Sequence, residues 1–385
     1  MKIQFDQILN LFEISKSQID EIANNYYNHI ITNIDKNNLQ KEELFFDYVD
    51  KVRVNKENTI LLIDMGGTYF KYKLFNQMFE ESHLIKIECS DNIEVFEYIA
   101  YQINEIYLKN IELFNEEIPI ILTFSFPYNK VSSNRAFMNK IAKNMPFKNN
   151  YLNKEINKSI KDFFNKINKE IDINIQLILN DTVAVLLSDD NKENYSDNTI
   201  QIGLVCGTGS NMAFYNENGI IVNAEWYKFT LPENIMTSYD YKLRDEMLAN
   251  NQEYFNTHTL LSGKDCLSLF KIIYKEFFKR EPSDSEIIKL LKDDSLISDN
   301  KNFYLTKIFK KIFLRNQCIT AGLIKGVTKL FSDPKKLIVK LNGSVYKNSF
   351  VADYLEKTLK ENTQMEIEVI KSFDSTLNIN MIEFN

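Results

Sequence analysis

Five short motifs hold the side chains that could do chemistry. Asp64-Met65-Gly66-Gly67-Thr68 ends an apolar run. Paired glycines let a hairpin backbone come close to a ligand and aim N–H groups at a phosphate, and the carboxylate could hold Mg2+ through water. The same residues also read as an ordinary β-hairpin turn. Ser125, in Leu122-Thr-Phe-Ser125-Phe-Pro127, could bond a sugar hydroxyl, or could simply stand where Pro127 ends a strand. Asn180 and Asp181 leave one apolar run and enter a helical pattern. A carboxylate there can take the proton of an alcohol that attacks phosphorus, while either residue can equally be a helix N-cap. Gly207-Thr208-Gly209-Ser210-Asn211 offers a second phosphate turn, with Asn211 placed to reach a polar ligand, or merely a tight turn. Glu225, in Asn223-Ala-Glu225-Trp226, is a ligand-binding carboxylate or an exposed edge residue.

The elements that must position these groups alternate in a definite order. Residues from Phe5 to about Val54 follow a helical three-to-four spacing. Strands are expected at Thr59–Met65, Tyr69–Phe75 and His83–Cys89, then a helix at Ile93–Asn110 and a buried strand at Ile118–Phe126. Helices at about Asn134–Asn144 and Asn153–Glu170, a strand at Ile173–Leu179 and a helix from Asp181 to Ser188 complete a first set. A second set opens with strands at Thr199–Cys206, Met212–Tyr215 and Ile220–Trp226. Helices follow at Leu260–Arg280 and Tyr304–Phe331, a strand at Leu337–Leu341, a helix at Phe350–Glu361 and a strand at Met365–Ile370. Two sets of three strands followed by alternating helix and strand make a duplicated α/β plan, with a cleft expected between two lobes.

Composition narrows the classes. Ten glycines and six prolines in 385 residues exclude collagen-like and low-complexity chains, and any fold built on many Gly-Pro turns. A hydrophobic fraction of 44 % supports a sizeable core. The net charge of −7 speaks against a nucleic-acid or anionic-membrane partner. Cys89, Cys206, Cys266 and Cys318 form no metal or redox motif and read as free thiols. No signal peptide and no apolar run long enough to span a membrane is evident, which points to a cytoplasmic protein.

Together, in this order, the motifs resemble the eukaryotic-type hexokinase family. The likeness runs along nearly the whole chain: FDQILNLFEISKSQIDEI, IDMGGTYFKYKLF, LTFSFP, LILNDTVAVLLS, IGLVCGTGSN, VNAEW and LNGSVYK. It implies a two-lobed sugar kinase/actin-like (ribonuclease H-like) α/β fold. The expected division is N-terminal helices over 1–58, packing on the large lobe, a small lobe over 59–180 and a large lobe over 181–385. The implied reaction moves the γ-phosphoryl group of ATP, with Mg2+, to the 6-hydroxyl of a hexose such as glucose. By the same resemblance Ser125, Lys143, Asn180, Asp181, Asn211 and Glu225 match sugar-binding positions, Asp181 matches the general base, and Lys143 is expected to be catalytic as well. Asp64, Gly66, Gly67, Thr68, Lys71, Gly207, Thr208 and Gly209 match the region of the nucleotide phosphates and Mg2+. Gly343 and Ser344 match the loop near the adenosine.

The chain also departs from that family. Tyr69 stands where the family has an Asn beside the ATP phosphates, and Lys71 where it has Arg. Ala142 replaces a sugar-touching Thr, and His258 replaces a second sugar-binding carboxylate. The stretch Ser372–Met381 has no glycine where the family carries a glycine-rich turn followed by a helix near the adenine. Two readings follow: an active hexose kinase with a reduced nucleotide pocket, or a catalytically weakened relative acting as a hexose sensor or interaction protein.

Overall fold

The computed structural model describes residues 2–33, 45–47, 49–54, 58–88, 93–126, 128–138, 147–148, 152–188, 198–250, 257–283, 285–287, 300–371, 377 and 381–384. Its strands are β1 (Phe45–Asp47), β2 (Val52–Val54), β3 (Ile60–Met65), β4 (Tyr69–Phe75), β5 (Glu80–Lys86), β6 (Glu117–Phe124), β7 (Tyr128–Ser132), β8 (Arg135–Met138) and β9 (Asp172–Leu179). They continue with β10 (Thr199–Cys206), β11 (Ser210–Tyr215), β12 (Ile221–Asn223), β13 (Lys336–Asn342), β14 (Glu366–Lys371) and β15 (Ile382–Phe384). The chain forms two compact units. One comprises Met1–Leu44, Tyr195–Met212 and Ala224–Lys371; the other comprises Phe45–Asn194, Ala213–Asn223 and Ser372–Asn385. These limits differ from the expected 1–58, 59–180 and 181–385, because the chain passes between the units several times and once inside β11.

The unit that contains β3 is built on a five-stranded sheet ordered β5-β4-β3-β6-β9. Its three strands β3, β6 and β9 run parallel, and every residue of β3 is buried. A parallel strand covered on both faces must be apolar throughout, so its sequence runs Ile-Leu-Leu-Ile instead of alternating. One cover is the helix Val95–Lys109, which buries Phe96, Ile99, Ala100, Ile103, Ile106 and Tyr107 along one face. The helix Ile156–Ile167 contributes Ile160 and Phe164 to the same core. A buried ion pair between Lys130 and Asp47 ties β7 to β1.

In the other unit β10, β13 and β14 are parallel neighbours. The helix Lys16–Asn33 lies against the 29-residue helix Asn300–Thr328. Gly322 and Gly326 permit that approach: a Cβ at Gly322 would stand 2.8 Å from Ile22 Cγ2, and one at Gly326 2.9 Å from the Ala23 carbonyl. Arg315 of the long helix is fully buried and forks onto Asp240 at 2.8 and 2.9 Å, so neither charge is left unpaired away from water.

Two expected helices give way to strands. The helical pattern ends at Asn33; Val52 and Val54 are buried while Arg53 is exposed, the alternation of a strand. The expected helix at Asn134–Asn144 begins instead as β8, paired with β7 in a hairpin in which Ala136 and Met138 face inward. Residues 139–144 lie outside the described set. The capped helix Ser238–Ala249 has no counterpart in the expected elements.

Gly322→Ala is expected to lower stability by about 1–3 kcal/mol, the usual cost of forcing atoms into a filled contact. The midpoint of urea unfolding should fall with an unchanged slope. An unchanged midpoint would show that the helix pair does not depend on this contact.

Candidate functional site

The registers Met65↔Phe124 and Thr123↔Leu179 set the carboxyl ends of β3, β6 and β9 side by side. The residues that follow are Gly66, Ser125 and Asn180, and the Ser125 amide donates to the Met65 carbonyl at 3.2 Å. Open α/β sheets bind ligands at this edge. Asp64, only 4 % exposed, sits opposite Lys71 of β4, and their side chains pair at 3.2 Å. The Gly66 amide donates to the Tyr69 carbonyl at 3.1 Å and closes the hairpin, so the turn reading of Gly66-Gly67 holds. Thr68 and Tyr69 are exposed.

Asn180 is the N-cap of the helix Asp181–Leu186. Its Oδ1 accepts from the Thr182 amide at 3.0 Å and the Thr182 hydroxyl at 2.6 Å. Asp181 therefore begins the helix on a fixed backbone, and it is partly exposed where Asn180 is buried. One Asp181 carboxylate oxygen accepts from the Thr182 amide at 2.9 Å. The N-cap and the partly exposed carboxylate are thus two different residues.

The other unit holds a second group of predicted residues. Cys206 ends β10, and the Gly207 amide donates to the Gly209 carbonyl at 2.7 Å, turning the chain into β11. The Gly207 carbonyl accepts from the Gly263 amide at 2.8 Å. Gly343 has φ +107°, which glycine alone adopts readily, and a Cβ there would overlap the Cys206 carbonyl. At Gly263 a Cβ would stand 2.6 Å from Val345 Cγ2 and 3.0 Å from the Gly207 carbonyl. Three loops therefore meet backbone to backbone at Gly207, Gly263 and Gly343. Thr208 and Ser344 are exposed on them.

Beside this turn, Asn211 Nδ2 donates to Glu225 Oε1 at 3.3 Å, and both residues are under 10 % exposed. Glu225 has φ 39° and ψ 50°, left-handed for a non-glycine residue. The adjacent Trp226, the chain's single tryptophan, is buried and donates its indole N–H to the Ser210 carbonyl at 2.7 Å. That bond ties the Glu225 segment to the start of β11. Lys143 and Ala142 lie outside the described residues; His258 lies in the helix Thr257–Leu261, its side chain outside the described set. Of Ser372–Met381 only Leu377 and Met381 are described.

Comparison with known proteins fits this arrangement. The hexokinase family model matches residues 4–190, which contain Asp64, Ser125, Asn180 and Asp181. The chain is thus similar to the hexokinase family, whose model covers just under half of it. Human hexokinase HKDC1 is 24 % identical over 284 residues, covering 66 % of this chain and 30 % of that protein. The chain thus spans under a third of the length of that relative. The fold matches a hexokinase from Schistosoma mansoni complexed with glucose, with TM-score 0.75, 16 % identity and coverage of 96 % of this chain and 95 % of that one. A second hexokinase crystal structure matches with TM-score 0.73 and 16 % identity over 97 % of both chains. The mixed α/β hexokinase fold therefore extends past the matched residues to the second group.

The thiols near the second group are inert by their surroundings. Burial pushes the Cys206 thiol up to about 12, although the Gly263 amide opposes the shift. Burial also raises Cys266 well above its ordinary value. A raised folded pKa gives stability that is full below the unfolded value of 9.0 and is lost as pH rises toward about 12. The urea midpoint should therefore fall on going from about pH 7 to pH 10, and iodoacetamide at about pH 8 should modify Cys206 only after unfolding. Rapid native labelling of Cys206 would contradict this burial.

Proposed function

We propose that this chain transfers the γ-phosphoryl group of ATP to the 6-hydroxyl of a hexose such as glucose, with Asp181 as general base. The observation that carries the reading is the Asn180-capped start of the helix Asp181–Leu186 beside Ser125 at the ends of parallel strands. A partly exposed carboxylate on a fixed backbone can take the hydroxyl proton as phosphoryl transfer proceeds. Ser125 and Asn180 would bind sugar hydroxyls from the same strand ends. Asn211 and Glu225, already hydrogen-bonded to each other, offer a donor and an acceptor pair for further hydroxyls. Lys143 and His258 belong to the same proposed sugar set by resemblance.

The turns suit a nucleotide. At Gly263 and Gly343 a side chain would intrude on the loop of Gly207, so bare backbone is kept there, as close approach to phosphate requires. Thr208, Gly209 and Ser344 border that backbone, and Gly66, Gly67, Thr68 and Lys71 form the other phosphate turn. Among the described residues no cluster of three or more His, Cys, Asp or Glu could hold a metal. A single carboxylate, Asp64, fits Mg2+ that arrives on the phosphates and is held through water; bound there it would neutralise charge on the transferring group. The chain's own Lys71, paired to Asp64, adds a cation on the same strand pair. Among the described residues no helix is long and apolar enough to cross a membrane. A cytoplasmic location is part of the proposal.

The test is turnover and binding with Asp181→Asn. The wild type should phosphorylate glucose in a coupled assay with ATP and Mg2+. The variant should lose about 10²–10⁴ in kcat, the range for removing a general base, while calorimetry shows glucose binding retained. Glu225→Gln should raise the glucose KM more than it lowers kcat. Glucose binding without turnover in a folded wild type would instead support the sensor reading, which the exposed Tyr69 at the phosphate turn favours.

A further inference from the structure

A six-residue helix does not hold itself together; isolated helices need about 12–15 residues to be even marginally stable in water. The helix Asp181–Leu186 therefore keeps its place through its surroundings. Asn180 fixes its first turn. Its buried side, with Val183, Leu186 and then Leu187, belongs to an apolar cluster shared with β3 and with Leu177 and Leu179 of β9. Besides Ala213 of β11 and Ile221 of β12, two stretches far away in sequence join that cluster. One is β2, through Val52 and Val54; the other is the segment around β15, through Leu377 with Met381 and Ile382 packed against it. Leu377 is 4 % exposed.

The segment is fastened as well as buried. β15 pairs in parallel with β2, from Ile382↔Val52 to Phe384↔Val54. The Val52 amide donates to the Met381 carbonyl at 2.6 Å. Glu383 pairs with both Lys51 and Arg53, and the Lys51 bond holds its carboxyl below the ordinary range. The main-chain pairing and the ion pairs fasten β15, which follows the buried Leu377; Leu377 shares the cluster with the helix. Leu377 and Met381 stand in the stretch that lacks the glycine-rich turn of the resembled family; Leu377 packs in this cluster and Met381 against it.

We propose that Leu377 is a positioning residue for Asp181: it completes the apolar bed that holds the helix, and through it the carboxylate, in place. This rests on the reading of Asp181 as general base. Leu377 touches no substrate; it acts by restricting where the first residue of the helix can stand. A displacement near 1 Å in a reacting group can cost up to about a hundredfold in rate, so a partly relaxed bed should cost about tenfold.

Leu377→Ala, with Leu377→Met as the volume-conserving control, tests this by amide hydrogen exchange and by kinetics. In Leu377→Ala the amides of residues 183–187 should exchange about tenfold faster. The helix Val95–Lys109, which packs in a different apolar cluster, should keep its protection. The kcat for glucose should fall about tenfold with the ATP KM unchanged, and Leu377→Met should restore both readings. Should Leu377→Ala not fold, Leu377→Val supplies the same comparison with a smaller truncation. Unchanged exchange at 183–187, or equal acceleration in both helices, overturns the inference. If the wild type shows no turnover, the kinase reading fails, and the exchange result alone still decides whether Leu377 holds this helix.

Discussion

Everything proposed for Asp181 depends on one packing constraint: three adjacent parallel strands with largely buried, mostly apolar residues, that finish at the same level. β3 has no solvent-facing residue, so a register slip of one position would turn no side chain toward water but would shift every strand end. What fixes the level is the pairing itself, Met65 with Phe124 and Thr123 with Leu179. The residues Gly66, Ser125 and Asn180 are reached where this pairing stops, just beyond the buried Asp64 and Thr123. Gly66, Ser125 and Asn180 are neighbours because their strands are, and the chemistry inherits its geometry from the apolar core beneath it.

The second group is held by a different device. There the constraint is backbone against backbone where the loops of Gly207, Gly263 and Gly343 meet, and an added side chain at Gly263 or Gly343 would collide with main-chain or packed side-chain atoms. Beside it, a buried indole bonded to the Ser210 carbonyl and a left-handed Glu225 orient two polar side chains toward each other. Local strain of about 1–3 kcal/mol at a residue such as Glu225 persists only where surrounding contacts over-determine it. Trp226 supplies such a contact. In a chain with ten glycines, three of them at one meeting of loops mark where close approach matters most.

Much of this was legible because the signals were local. Strands β3, β4, β9, β10 and β13 fall within a residue or so of their expected limits, since an apolar run bounded by Gly or Asn-Asp announces itself. What was hidden depended on distant partners. β1 and β2 look helical in a chain rich in Ile, Lys and Asn until β12 and β15 pair with them. β8 alternates over only four residues, too few to outweigh a helical window. The helix Ser238–Ala249 has weak amphipathicity and owes its place to the Thr237–Asp240 capping box and the Arg315 pair. At the strand ends, the sequence singles out Asn180 and Asp181 as a dipeptide, but it cannot divide the N-cap from the partly exposed carboxylate. The role of Gly263 emerged only from its approach to Gly207.

The central claim is that the Asp181 edge serves transfer to a particular hydroxyl. Product analysis by phosphorus NMR tests it most directly, with ATP, Mg2+ and either glucose or 6-deoxyglucose. The account expects a hexose 6-phosphate from glucose and no sugar phosphate from 6-deoxyglucose, with both sugars binding. Failure of the folded protein to phosphorylate glucose, or phosphate appearing on the deoxy sugar, would contradict it.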